Sequence, residues 1–193
     1  MHAERTARAC SFGPVSSEVL QRLARVKLLI LDVDGVMTDG GLYFDAEGRV
    51  LKRFHVQDGL GIDIARKHGI VSAVITGQDV PAVAARMRQL GIEDYYPGSG
   101  DKRESYALCR AKHGFAPEEV AFLGDDWIDL PVLNTVGVPL AVANARPEVK
   151  AAALYVTSTP GGHGAVREVI DLLLHSRGKL EVALAAWLDT PAL

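Results

Sequence analysis

Apolar residues in this chain fall in short runs separated by longer stretches with helical spacing. Val26-Lys27-Leu28-Leu29-Ile30-Leu31-Asp32 is short, mostly apolar and free of turn residues, and it predicts a buried strand. Ile70 to Ile75, Val120 to Leu123 and Val138 to Val142 predict three more, with weaker strands near Asp94-Tyr95-Tyr96 and at Tyr155-Val156. Ser16 to Val26 places Val19, Leu20, Leu23 and Val26 on one helical face. Asp58 is placed to cap a helix running to about His68, with Gly69 as its left-handed stop. Asp79, with Pro81 in the first turn, opens a helix that closes at Leu90-Gly91. Further helices run from about Asp101 to His113, from about Trp127, and from about Ala165 to His175.

Two β-prone runs, Gly40 to Phe44 and Arg49 to Phe54, flank Asp45-Ala46-Glu47-Gly48 and predict a hairpin. Strand–helix alternation at this frequency predicts an α/β fold, a Rossmann-like parallel sheet flanked by helices with a small β-hairpin inserted after the first strand. The expected organisation is an extension at 1–26 with a short helix, one domain at 27–178 with the hairpin at about 40–54, and a tail at 179–193. The tail, mainly apolar from Leu180 to Leu193, is compatible with an exposed helix, an assembly arm or partial disorder. The hairpin's Leu42, Phe44, Val50 and Leu51 form either an assembly surface or a face packed on the chain's own sheet.

Composition narrows the function classes. The 193 residues are 48% apolar and 23% charged, which is globular rather than disordered. Lys and Arg total 21 against 24 Asp and Glu, a net charge of −3, so no basic stripe for nucleic acid is expected. No apolar run reaches the roughly 18 residues a membrane span needs. Met1 to Cys10 shows no signal-peptide core, and two cysteines, Cys10 and Cys109, are too few for a disulfide framework. A soluble cytoplasmic protein is expected.

In an open parallel sheet, ligands bind beyond the carboxyl ends of the strands. The residues that follow the predicted strands are Asp32, Asp34 and Gly35, then Thr76-Gly77, then Lys102, then Gly124-Asp125-Asp126 with Asp129 one turn on. Asp32 and Asp34, two apart, leave an extended chain on the same face. Carboxylates that close repel, Asp125 adds a third, and a hard divalent cation such as Mg²⁺ relieves the repulsion. Lys102 and Thr76 donate hydrogen bonds to an anion. A cation, an ammonium and a hydroxyl around a spare carboxylate make a phosphoryl-transfer site. Taken alone, each motif also reads as a turn or a helix cap; their order after four successive strands carries the chemistry.

Asp32-Val33-Asp34-Gly35-Val36, Thr76, Lys102 and Gly124-Asp125-Asp126-Trp127-Ile128-Asp129 resemble the haloacid dehalogenase-like phosphatases over almost the whole chain. The resemblance implies that Asp32 is a nucleophile forming an aspartyl-phosphate and that Asp34 is its acid/base partner. It implies Thr76, Gly77 and Lys102 as phosphate-binding residues. It further implies Asp32, Asp125 and the Asp34 carbonyl as Mg²⁺ ligands, with Asp126 and Asp129 supporting them. No room exists for a cap domain, since only the hairpin separates Gly35 from the helix near Asp58. A chain without its own lid excludes water by other means, most simply through a neighbouring subunit.

The capless layout, Gly35 to Gly40, Asp58-Gly59, Gly161 to Glu168 and Gly178-Lys179-Leu180 are similar to the 3-deoxy-D-manno-octulosonate 8-phosphate phosphatase family of lipopolysaccharide precursor synthesis. That likeness implies a homotetramer with shared sites and a small phosphorylated sugar acid as substrate. It places His55, Val56, Gln57, Asp58, Gly59 and Arg86, with Asp34 and Gln78, against the substrate. The chain departs from the family where Gln78 stands in place of a frequent Arg and His55 in place of a frequent Asn. A nine-carbon sugar-acid 9-phosphate is the alternative substrate. A phospho-Asp receiver is a rival class, but its phosphorylated Asp would follow the third strand, where this chain has Gly98-Ser99-Gly100. A pure binding role is the remaining rival.

Overall fold

The computed structural model describes residues 12–188, so Met1 to Cys10 of the predicted extension and the end of the predicted tail lie outside the described residues. Helix α1 (Ser17–Leu23) leads into strand β1 (Leu28–Leu31), and a π-helical turn at Val33–Met37 follows. The hairpin is β2 (Tyr43–Phe44) and β3 (Val50–Leu51). Next come α2 (Val56–Lys67), β4 (Val71–Ile75), α3 (Pro81–Leu90), β5 (Asp94–Tyr96) and α4 (Lys102–His113). Strand β6 (Val120–Gly124) leads through a 3₁₀ turn at Trp127–Asp129 to α5 (Leu130–Leu133). The chain continues through β7 (Val138–Ala141), α6 (Pro147–Ala152), β8 (Tyr155–Val156), α7 (Ala165–Ser176) and α8 (Leu180–Leu188).

Six strands form a parallel sheet in the order β5-β4-β1-β6-β7-β8. Strand β1 is central, with Leu28 opposite both Val71 of β4 and Val120 of β6. Helices cover both faces, so its four residues are fully buried and read as an unbroken apolar run. The chain moves from β1 outward to β4 and β5, then crosses back to β6 on the other side. A crevice opens at that reversal, at the carboxyl ends of β1 and β6.

Helix boundaries follow cap chemistry. Gly91 and Gly114 end α3 and α4 at φ +66°, in the left-handed conformation glycine takes at little cost. Asp101 caps α4 by accepting from Arg103 N at 3.0 Å. Two predicted caps are displaced. Helix α3 starts from Val80, leaving Asp79 exposed in the preceding loop. Helix α2 starts two residues before Asp58, from His55. Asp58 instead turns inward and accepts from Arg167 N of α7 at 2.8 Å. Helix α7 opens from Gly164, which has no side chain to cap it, so Asp58 serves that end from the neighbouring helix. The helix predicted from Trp127 is a 3₁₀ turn and one α turn, and α6 carried too little periodicity to be predicted.

The hairpin stands away from the sheet. Leu42, Phe44 and Leu51 are exposed and Val50 is half-buried, so the first three do not pack on the chain's own sheet. Its foot is fastened by a bridge between Thr38 and Phe54 and by Arg53 Nη1, which donates to Gly162 O at 3.2 Å. Helix α8 packs on α7 and buries Ala183 in the common core, while Val182, Leu184, Trp187 and Leu188 stay exposed.

Glu168 of α7 is buried and accepts from Tyr155 Oη (2.8 Å), Ser158 N (2.7 Å), Ser158 Oγ (2.9 Å) and Thr159 N (2.9 Å). Removing it strands four donors in the interior. Glu168→Ala is therefore expected to cost about 3 kcal/mol, read as a lower urea midpoint at unchanged slope.

Candidate active site

Asp32 directly follows strand β1, and its amide donates to Leu123 O of β6 at 3.1 Å. The chain then folds into the π-helical turn. Thr38 ties that turn: its Oγ accepts from Gly35 N and Gly40 N and donates to Val33 O, each at 3.3 Å. Gly35 sits at φ +89°, and a Cβ there would overlap the Asp125 carboxylate, so both conformation and space demand glycine. Gly161 and Gly162 bring their backbones so close to Gly35 O and Asp39 N that any side chain at either would collide.

Asp32, Asp125 and Asp129 converge, each offering a carboxylate oxygen within 4.8 Å of the others. Lys102, at the start of α4, is buried with them and donates to Asp32 Oδ1 and Asp129 Oδ1, both at 2.7 Å. The other oxygen of Asp129 accepts from Asp125 N at 2.9 Å and Asp126 N at 3.4 Å. Asp129 is thus satisfied on both oxygens, whereas Asp125 Oδ1 is buried without a partner.

Burial works against the Lys102 ammonium, but Asp32 and Asp129 outweigh it and raise its pKa, so it stays charged. Burial raises Asp32 to about 6 against the pull of Lys102. Asp125 is pushed up to about 8, by burial first and then by the charges of Asp32 and Asp129. One ammonium does not balance three carboxylates, and Asp125 is the one whose ionisation is held back.

Thr76, after β4, is buried, and its Oγ accepts from Gln78 N at 3.4 Å. Gly77 lies against Ile128 of the loop after β6, so the loops following β4 and β6 meet. Asp34 meets the hairpin, where Lys52 Nζ donates to its Oδ1 and, at 3.2 Å, to Gln78 Oε1. Asp126 is exposed and accepts from Trp127 N at 2.7 Å, a capping contact.

His55, Asp58 and Arg86 form a second group. Val56 and Gln57 beside them are exposed, and Gly59 abuts the Arg86 guanidinium, which lies 5.7 Å from the Phe54 ring. His55 Nδ1, Asp58 Oδ2 and Arg86 Nε are buried without partners. Burial raises Asp58 to about 6, while the Arg167 amide, His55 and Arg86 pull it back.

Lys52 is the site residue that sequence reasoning missed. It follows β3 between exposed Leu51 and Arg53, and only the turn of the hairpin aims it inward. Asp94, Cys109 and His113 also come together, but Lys112 (2.6 Å) and His113 (2.8 Å) already occupy the oxygens of Asp94.

Residues 63–170 match the family model for haloacid dehalogenase-like hydrolases. A curated Escherichia coli K12 protein, 3-deoxy-D-manno-octulosonate 8-phosphate phosphatase KdsC, is 46% identical over 91% of this chain and 93% of its own length. The chain belongs to the haloacid dehalogenase-like hydrolases. Among solved structures, the Yersinia pestis 3-deoxy-D-manno-octulosonate 8-phosphate phosphatase matches with TM-score 0.86 at 46% identity, over 88% of this chain and 92% of that one. The Moraxella catarrhalis enzyme, solved with magnesium, phosphate and the sugar acid, matches with TM-score 0.87 at 34% identity, over 90% of this chain and 99% of that one. These relatives place the chain in the 3-deoxy-D-manno-octulosonate 8-phosphate phosphatase branch of the hydrolases, as a phosphoric monoester hydrolase.

A haloacid dehalogenase-like hydrolase of this branch calls for a divalent metal, and the donor set fits one. The oxygens are hard, three carboxyl groups meet one ammonium, and Asp125 Oδ1 is left without a partner. The pKa of Asp125 lies above the usual 3.8, so the metal-free folded chain holds a proton that the unfolded chain releases. That contribution to stability is complete below about pH 4 and is lost as pH rises toward 8. A divalent cation must displace the proton, so the rise in Tm it gives is expected to be larger at about pH 8 than at about pH 5.5. Thermal unfolding with Mg²⁺ or with chelator at both pH values measures it, and Asp125→Asn is expected to remove most of the difference.

Proposed function

We propose that this chain hydrolyses 3-deoxy-D-manno-octulosonate 8-phosphate to the free sugar acid and inorganic phosphate, in the supply of lipopolysaccharide precursors. The observation that carries the chemistry is the buried pairing of Lys102 with Asp32 beside the unpartnered oxygen of Asp125. The substrate rests on the 46% identity to KdsC over nearly the whole of both chains.

Asp32, Asp125 and the carbonyl of Asp34 would hold Mg²⁺, which supplies positive charge to a phosphoryl group in transfer. A carboxylate oxygen of Asp32 attacks phosphorus, and the bond from phosphorus to the sugar's terminal oxygen breaks. Asp34 gives its proton to that oxygen. Asp34 then takes a proton from water, whose oxygen attacks phosphorus, freeing inorganic phosphate and restoring the Asp32 carboxylate. Lys102 and the Thr76 hydroxyl hold the non-bridging oxygens. His55, Asp58 and Arg86, with unpartnered buried atoms, receive the hydroxyls and carboxylate of the sugar acid.

Phosphate release from the eight-carbon substrate, with Mg²⁺ and with chelator, tests the reaction. Asp32→Asn and Asp34→Asn are each expected to lower kcat by on the order of a thousandfold with unchanged circular dichroism. A nine-carbon sugar-acid 9-phosphate, assayed in parallel, tests the substrate: if it is preferred, the mechanism stands and the substrate assignment falls. No metal-dependent release from either overturns the reading.

The assembly proposed with it is a cytoplasmic homotetramer whose exposed hairpin residues Leu42, Phe44 and Leu51 meet across subunits, bringing neighbouring chains over the uncapped sites. Light scattering at micromolar protein is expected to give four chains, and Phe44→Asp to reduce the mass and the activity together. A monomeric parent chain that is fully active refutes the shared site.

A further inference from the structure

Lys52 is the least expected residue of the site. Its side chain is 1% exposed, although its neighbours on the hairpin, Leu51 and Arg53, are about half exposed. Burying an ammonium is costly unless a partner holds it, and the partners here are the Asp34 carboxylate and the Gln78 amide oxygen. Among the described residues, Lys52 makes the one hydrogen bond to the Asp34 side chain that the structure shows. Asp34 itself is a third exposed, and the backbone beneath it leaves the helical range at φ −78° and ψ 114°. Nothing in its own turn fixes the direction of its carboxyl group.

The foot of the hairpin is rigid where Lys52 leaves it. Phe54 bridges to Thr38, and Arg53 is bonded to Gly162 O on one side and, at 3.4 Å, to Asp39 Oδ2 on the other. Tyr43 Oη donates to the same Asp39 oxygen at 2.8 Å. Lys52 thus reaches the site from an anchored base, and a long flexible side chain gains directional value from such a base.

We infer that Lys52 is a positioning residue for the phosphatase reaction: it holds the Asp34 carboxyl toward the leaving oxygen of the substrate, and it links the hairpin to turnover. This rests on the acid/base role proposed for Asp34. An acid that is misdirected by about 1 Å loses proton transfer to the leaving group and from water, while binding of the phosphate at Lys102 and Thr76 is untouched.

The test is steady-state and pre-steady-state kinetics of Lys52→Met, which keeps the stem and removes the ammonium, and of Lys52→Arg, which keeps a donor. Lys52→Met is expected to lower kcat on the sugar-acid 8-phosphate by about ten- to a hundredfold, with KM changed less than about threefold. With an aryl phosphate, whose leaving group departs without a proton, the same variant is expected to show a burst of phenolate followed by slow turnover, because water activation still fails. Lys52→Arg is expected to recover at least part of kcat, and both variants to keep the parent's thermal unfolding profile within a few degrees. Unchanged kinetics in Lys52→Met overturns the inference while leaving the phosphatase reading intact. A raised KM at unchanged kcat also overturns it, and makes Lys52 a substrate contact. A parent enzyme inactive on both substrates overturns the phosphatase reading and this inference together.

Discussion

Lys102 lies between Asp32 and Asp129 with its Nζ 2.7 Å from an oxygen of each, and all three side chains are buried at the end of the central strand. Taking such charges out of water is unfavourable by several kcal/mol per ion, and it is tolerated here because both oxygens of Asp129 and one of Asp32 meet donors. The ends of β1 and β6 must lie side by side for the three to meet, and the start of α4 must reach across from the far edge of the sheet. The apolar runs of β1 and β6 serve that geometry: they fix the height at which each strand delivers its acidic residue. Lys102 cannot offset three carboxylates, and the imbalance falls on Asp125, whose ionisation is held back until a cation takes the place of its proton.

Much of this was legible because it is local. An unbroken apolar run ending in Asp, or a helix closed by Gly91 or Gly114, needs only its immediate neighbours to be read. The acidic, hydroxyl and ammonium groups after successive strands are legible for a related reason: a parallel sheet sends every carboxyl end to the same edge. What escaped depends on contacts between distant segments. Asp58 has the composition of a cap and is one, but for α7 rather than for its own helix, since the backbone donor it meets belongs to Arg167. Lys52 is indistinguishable in sequence from the surface residues around it, and its burial follows from where the hairpin foot is anchored. Glu168 looks like an ordinary helical glutamate until the loop at Ser158 and Thr159 closes over it.

The loop after β8 joins these separate features. Glu168 holds its beginning, Gly161 and Gly162 press its middle against the turn that carries Asp34, and its last glycine opens α7, whose first turn rests on Asp58. Glycine is required at 161 by close approach, and at 162 by close approach together with a left-handed backbone at φ +69°. The crevice is therefore lined by backbone on this side, and its shape is set by how tightly two loops pack.

Asp32 and Lys102 are 70 residues apart in the chain, and β1 is flanked by partners drawn from both halves of the sequence. In kinetic terms this is a high-contact-order arrangement, in which loop closure must precede the pairing that rewards it. A chain that has paired β1 with β4 but not yet with β6 already has Asp32 in place and lacks the far wall of its crevice. Such a species has no Asp125 or Asp129 beside Asp32 and exposes one edge of β1 to other chains. Docking of β6 against β1 brings Asp125 and Asp129 to Asp32, so a single strand pairing both closes that edge of β1 and creates the charge cluster.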